Sequence, residues 1–182
     1  MLNPKSVNFC IEPLEKHHDR ATFSCGNEQL DRYFHFAATQ DQKRNIAIPY
    51  VIFDRERQKI IGYYTLSTTG INLEQLPQSI VKKLPKYPIV GTVFIGRLAV
   101  ADDYRGFGWG KLLIMDALYR SLRVSQTTGC FAVVVDAIDD EAVRFYQRFE
   151  FQIFPDQPHK LFRTMTNIAQ TFDSLQKKSQ GT

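Results

Sequence analysis

The chain has 182 residues, 43% hydrophobic and 13% aromatic, which suffices for one continuous core in a domain of ordinary size. Its 23 Lys and Arg against 19 Asp and Glu leave a net charge of +4, enough to permit an anionic partner and too little to demand one. Three cysteines, Cys10, Cys25 and Cys130, lack C-x-x-C spacing and exclude a disulfide framework and a zinc-ligand pattern, so no metal is expected. With no leader-like N-terminus and no apolar run of about 18 residues, neither export nor membrane insertion fits, and the expected location is a reducing cytoplasm.

Residues 7–12, VNFCIE, alternate well enough for a half-buried strand. From Asn27, a suitable N-cap, the residues Leu30, Tyr33, Phe34, Ala37 and Ala38 share one helical face, predicting a first helix to about Lys43. IPYVIFD and KIIGYYTLSTT, separated by the charged turn RERQ, predict a hairpin or adjacent meander strands. Residues 72–91 carry Pro77, Pro85 and Pro88 and read mostly as loop, with a short helix around Gln78 to Leu84 and a basic cluster of Lys82, Lys83 and Lys86. TVFIGRLAV is strand-like, and CFAVVVDA is so continuously apolar that it suits a strand covered on both faces, as parallel strands are. Between them Leu112, Met115, Leu118 and Leu122 repeat at helical spacing from Gly110, giving a strand-helix-strand unit with glycines at its first turn. A helix from about Asp139 to Phe149, strands near FQIF and KLFRTM, and a polar tail over 170–182 expected to fray complete one α/β (α+β) domain spanning 1–182.

The stretch YRGFGWGKLL poses the chemical question, because three alternating glycines give up chain order beside Arg105 at a helix start. A helix N-terminus exposes unpaired N–H groups and partial positive charge, so a glycine-rich entry lets phosphate approach the backbone. A Walker A loop fails, since Gly110-Lys111 is followed by Leu112 rather than Ser or Thr. A dinucleotide fingerprint is weak, because Gly106, Gly108 and Gly110 have the wrong spacing and no acid sits well placed about 20 residues on.

The order Arg-x-x-Gly-x-Gly at Arg105, Gly108 and Gly110, after RLAV and before a Leu-rich helix, resembles the acetyl-CoA pyrophosphate loop of the GNAT superfamily of N-acetyltransferases. EAVRFYQRFEF, Glu141 to Phe151, resembles that family's second signature, an Ala-x-x-Phe-Tyr helix leading into the last strands. The resemblance implies a GNAT fold, a mixed central sheet with splayed parallel strands flanked by helices, and acetyl-CoA as acetyl donor. It implies that the backbone of Leu98, Ala99 and Val100 holds the pantetheine arm. It also implies that the backbone of Arg105, Gly106, Phe107, Gly108, Trp109, Gly110 and Lys111 holds the pyrophosphate, and that Tyr146 is the general acid. Asp139, a cofactor-side residue, stands where many relatives have Asn, and Glu150 replaces the Gly of the usual Phe-Gly-Phe.

Acetyl transfer to an amine needs a neutral nucleophile, a polarised thioester carbonyl and a protonated leaving sulfur. A strand amide near Val100 can donate to the thioester oxygen, and Tyr146 can give its proton to the thiolate. His17, His18, His35 and His159 are scattered, so no general base stands out. An α-amine titrates near ~8 and a lysine near ~10.4, so the lack of a base favours an α-amine acceptor.

FSCGNEQLDRYF, GYYTLST, LPKYPIVGTVFIGRLAVADDYRGFGWGKLLIMDAL and VVVDAIDDEAVRFY make the chain similar to a narrower group, the toxins of toxin–antitoxin pairs that acetylate the α-amine of aminoacyl-tRNA and block translation. That resemblance implies a homodimer neutralised by a ribbon-helix-helix antitoxin. Lys82, Lys83, Lys86, Lys160 and Arg163 could then line a groove for tRNA phosphates, against the bland reading of a solvated basic surface. Arg97, a charge in an apolar strand, must be paired or functional, and an edge or dimer contact weighs as much as a substrate contact. Two other functions remain open: an acetyltransferase for a small amine, antibiotic or protein N-terminus, and a CoA-binding module without turnover.

Overall fold

The structure, a computed structural model, describes residues 2–180. Its elements in chain order are β1 (Phe9–Pro13), α1 (Glu28–Phe36), α2 (Ala38–Lys43), β2 (Ile48–Asp54), β3 (Lys59–Asn72), α3 (Gln78–Val81), β4 (Ile89–Val100), α4 (Trp109–Ser125), β5 (Ala132–Asp136), α5 (Asp140–Gln147), β6 (Gln152–Phe154), β7 (Gln157–Thr164) and α6 (Met165–Gln180). The strands form a seven-stranded mixed sheet in the order β1-β2-β3-β4-β5-β7-β6, the α/β arrangement expected from the sequence. The chain divides into two compact units, one of Met1–Ser67 with Ile95–Ala117, the other of Thr68–Phe94 with Leu118–Thr182.

In the first unit β2 and β3 form the predicted hairpin, and its turn is held by Asp54. This fully buried carboxylate accepts from the N–H groups of Glu56 (3.0 Å) and Arg57 (2.9 Å) and from the Arg57 guanidinium (2.9 Å). Those donors hold its pKa below the usual carboxylate range despite burial. Gly62 on β3 is required by packing, since a Cβ there would lie 2.7 Å from the Ala99 carbonyl oxygen and 3.0 Å from Leu113 Cδ1. The core gathers Phe23, Phe34, Val51, Phe53, Tyr63 and Ala99, with the Phe34 and Tyr63 rings stacked at 4.1 Å.

Asn27 caps α1 as predicted, its Oδ1 accepting from Leu30 N at 3.1 Å. The single helix expected to Lys43 is instead two, broken at Ala37. The cause is Arg20, whose guanidinium donates to the carbonyls of Phe34 (3.0 Å) and His35 (2.8 Å), acceptors that a continuous helix would use for Ala38 and Thr39.

In the second unit β5 pairs antiparallel with β7, from Ala132↔Thr164 to Asp136↔Lys160, and β6 adds to β7. Ile71, Leu76, Val134, Phe154 and Phe162 form its core, and Val133, Val134 and Val135 are all fully buried, as the apolar run predicted. Of the helical repeat read along Leu112, Met115, Leu118 and Leu122, Leu118 is fully buried and the other three are half-buried, the remaining fully buried positions of α4 being Leu113, Ile114, Ala117 and Ser121. Apolar residues surround that helix, so spacing alone does not select the buried stripe. Residues 170–180, expected to fray, lie in α6, where Ile168 is buried and the Phe172 ring meets Tyr119 at 5.4 Å; 181–182 lie outside the described residues.

The turn after α5 explains the departure at Glu150. Phe151 N donates to Tyr146 O (3.3 Å) and Glu150 N to Gln147 O (3.0 Å), closing the helix with Glu150 at φ 60°. A glycine adopts that left-handed geometry freely, whereas a side chain there costs on the order of 1 kcal/mol. Glu150 offsets the cost by ion pairing with the buried Arg163 guanidinium, which also donates to Thr171 Oγ1 and to Asn167 O (3.3 Å). Burial pulls the Arg163 pKa down and Glu150 opposes that shift. Replacing Glu150 by glycine relieves the backbone and strands a buried charge, so Glu150→Gly should lower stability by roughly 1 kcal/mol, and the double change Glu150→Gly with Arg163→Leu should recover most of it. Thermal unfolding of both variants checks this, and a more stable single variant would contradict it.

Candidate active site

The sequence-derived residues fall on both units. Leu98, Ala99, Val100 and the 105–111 turn belong to the first, together with Arg97. Lys82, Lys83, Lys86, Asp139, Tyr146, Lys160 and Arg163 belong to the second.

At the end of β4, Ala101 N donates to Ile61 O on β3 at 2.8 Å. Since successive strand residues alternate, the N–H of Val100 faces away from β3. The chain then makes a short 3-10 turn, Asp102–Tyr104, and reaches α4 through Gly106 (φ 79°) and Gly108 (φ 92°), conformations that need glycine. Outside the adjoining residues, no heavy atom lies within 4 Å of where a Cβ would stand on either glycine, so the loop is open there. The first turn of α4 carries no acid, and its leading N–H groups have no intrahelical acceptor.

Several side chains hold this turn from below. The Trp109 indole, buried at 1% exposure, donates to Leu2 O at 2.6 Å and meets the Phe9 ring edge-on at 5.0 Å. The Tyr104 hydroxyl donates to Asp54 Oδ2 at 3.3 Å. The Arg105 guanidinium donates to the Cys25 carbonyl and pairs with Asp102 Oδ1 at 3.3 Å. Its side chain stays 58% exposed, so it fastens the turn to the segment before α1 while adding positive charge to the loop. The Trp109 and Tyr104 anchors were missed in the sequence, where the only available signal was their aromatic character beside glycines.

Arg97 is half-buried, with its guanidinium carbon 3.5 Å from the centroid of the Tyr33 ring. Tyr33 in turn donates to Asp41 Oδ2 at 3.0 Å, and its pKa is pushed up to about 12 by burial and that carboxylate. The odd charge in the strand is thus explained by an aromatic partner on α1.

In the second unit Tyr146 sits on the inner face of α5, 6% exposed, with its ring against Phe145 and Phe151. Burial alone pushes its phenol pKa well above the usual value, so the hydroxyl keeps its proton throughout the neutral range. Asp139 is the N-cap of α5, its Oδ1 accepting from Ala142 N at 2.7 Å. Asn and Asp cap equally well, so the exchange leaves the helix start intact. Lys82, Lys83 and Lys86 are exposed, alongside the exposed Tyr87 and Ile89. Lys160 is half-buried with its ammonium 5.4 Å from the Phe154 ring. Arg163, expected on a phosphate-binding surface, is only 2% exposed and engaged by Glu150, which removes it from any such surface.

Each histidine has at least one partner on the protein. His35 Nε2 lies 2.8 Å from Phe23 O, and His159 pairs with Asp140 at 2.9 Å. Glu12, His17 and His18 place ligand-type atoms within 4.8 Å of one another, a grouping with metal-binding chemistry. However, His18 Nδ1 accepts the Glu15 N–H at 2.9 Å, so its proton sits on Nε2, facing Glu12 Oε1 at 3.0 Å. A metal at Nε2 would need that ring as an imidazolate. The group serves instead as a lock on the turn after β1.

A family profile described as an acetyltransferase (GNAT) domain matches residues 47–153. A probable toxin TacT from Sinorhizobium fredii is 28% identical over 92% of this chain and 97% of its own. A tRNA-acetylating toxin from Mycobacterium tuberculosis is 29% identical over 81% of this chain and 86% of its own. The solved structure of AtaT complexed with acetyl-methionyl-tRNA superposes with a TM-score of 0.84 at 26% identity, covering 91% of this chain and 99% of that one. With the profile match spanning more than half of its length, the chain belongs to the GNAT acetyltransferase family.

Proposed function

We propose that this protein is a toxin that transfers the acetyl group of acetyl-CoA to the α-amine of aminoacyl-tRNA and so blocks translation. The observation that carries the reading is the likeness, over nine-tenths of the chain, to a fold solved with acetyl-methionyl-tRNA, combined with a phenol that burial keeps protonated. The open glycine cradle fits a diphosphate, so Gly106 through Lys111 hold that end of the donor through main-chain N–H groups. Bound acetyl-CoA supplies the activated acetyl thioester. Val100 N–H donates to the thioester oxygen as negative charge develops there, a contribution on the order of 3 kcal/mol. Tyr146 releases its hydroxyl proton to the departing sulfur. An α-amine acceptor needs little help from a base, because its neutral form is already populated near pH 7 to 8.

Lys82, Lys83 and Lys86 supply phosphate contacts to the acceptor, an electrostatic role that their exposure favours. A homodimer and a ribbon-helix-helix antitoxin are the partners expected of this group, and the cytoplasm, where charged tRNA and acetyl-CoA meet, is the expected location. No described helix is long and apolar enough to cross a membrane.

Two outcomes test the reading. Labelled acetyl from acetyl-CoA should appear on a pool of charged tRNA and not on deacylated tRNA, and Tyr146→Phe should reduce the rate about 100-fold or more. Label on small amines or peptides but not on charged tRNA would overturn the acceptor. The initial rate should rise with pH through the α-amine's titration near ~8 and show no falling limb up to about pH 9.5, because the raised Tyr146 pKa keeps the acid form above that range. A falling limb below about pH 9 that disappears in Tyr146→Phe would contradict a burial-protected acid.

A further inference from the structure

Phe107 is the exposed aromatic of the cradle, 44% accessible while the adjacent ring of Trp109 is buried. It stands between Gly106 and Gly108, both in left-handed conformations with open space where a Cβ would lie. The two glycines therefore turn the chain so that Phe107 projects from the loop rather than into the core. Its neighbours Asp102, Asp103, Arg105 and Lys111 are exposed and charged, so no apolar protein surface on this loop accounts for the ring. Single exposed apolar residues are ordinary on protein surfaces; this one occupies the middle of a loop shaped to hold a diphosphate.

We propose that the Phe107 side chain is a stacking platform for the adenine of acetyl-CoA. The inference rests on the reading of the 105–111 turn as the diphosphate seat and adds a side-chain role to it. A diphosphate held by the turn's main-chain N–H groups carries its adenosine close to the same loop, and a nucleobase presents a π-face that an aromatic ring binds without hydrogen-bond specificity. Phe107 thereby makes the enzyme select a nucleotide-bearing thioester over one that ends at the pantetheine phosphate.

The test is binding by calorimetry or displacement to the intact protein, with CoA and 4′-phosphopantetheine as probes. Phe107→Ala should weaken CoA about tenfold and leave 4′-phosphopantetheine unchanged, and Phe107→Trp should restore CoA affinity to near that of the original protein. Unchanged CoA binding by Phe107→Ala overturns the proposal, as does an equal loss for both probes, which would mean the loop itself was disturbed. Failure of the unmodified protein to bind CoA at all would instead remove the diphosphate seat on which the proposal stands. Thermal unfolding of each variant separates loss of binding from loss of fold.

Discussion

The structure depends on a row of backbone N–H groups left open at the start of α4. Such a row has little value unless the turn before it is rigid, because two positive-φ glycines would otherwise explore many conformations. Rigidity comes from side chains pointing away from the cradle: Trp109 to Leu2 O, Tyr104 to Asp54, and Arg105 to the Cys25 carbonyl. The loop itself contributes glycines and donors, and its order is imposed by a β-hairpin turn, the segment before β1 and the segment before α1.

Asp54 illustrates how one buried carboxylate links two tasks. It closes the β2–β3 turn through three donors and still accepts the Tyr104 hydroxyl. Arg105 links two others, since fastening the cradle to the Cys25 carbonyl also fixes the entry into α1, the helix whose Tyr33 receives Arg97. In the second unit Glu150 and Arg163 play a comparable part. A residue that strains the turn after α5 is retained because its carboxylate pairs with a buried guanidinium on a strand flanked by β5 and β6.

Much of this was legible in the sequence where the signal was local. The hairpin, the Asn27 cap, the covered β5 run and the glycine turn follow from period, capping chemistry and φ requirements of adjacent residues. The break at Ala37 was not legible, because its cause is Arg20, far back in the chain and reaching two carbonyls only after folding. The buried stripe of α4 was legible only in part because apolar residues surround the helix and no periodicity selects a face. Arg163 read as a surface cation because a lone basic residue in a strand carries no sign of an acidic partner across a turn. Asp139 looked like a departure of function, and its contact with Ala142 N makes it an equivalent cap.

In the proposed function the main chain of the 106–111 turn, and not a side chain, holds the diphosphate of acetyl-CoA. Calorimetric titration of acetyl-CoA into the protein and into Gly108→Ala measures this, because a side chain at φ 92° distorts the turn whatever space surrounds it. Affinity should fall at least about tenfold, while thermal stability without ligand should drop only by the strain of a side chain at positive φ, on the order of 1 kcal/mol. Equal affinity in the two proteins would contradict the proposed main-chain seat and require the donor to be held elsewhere.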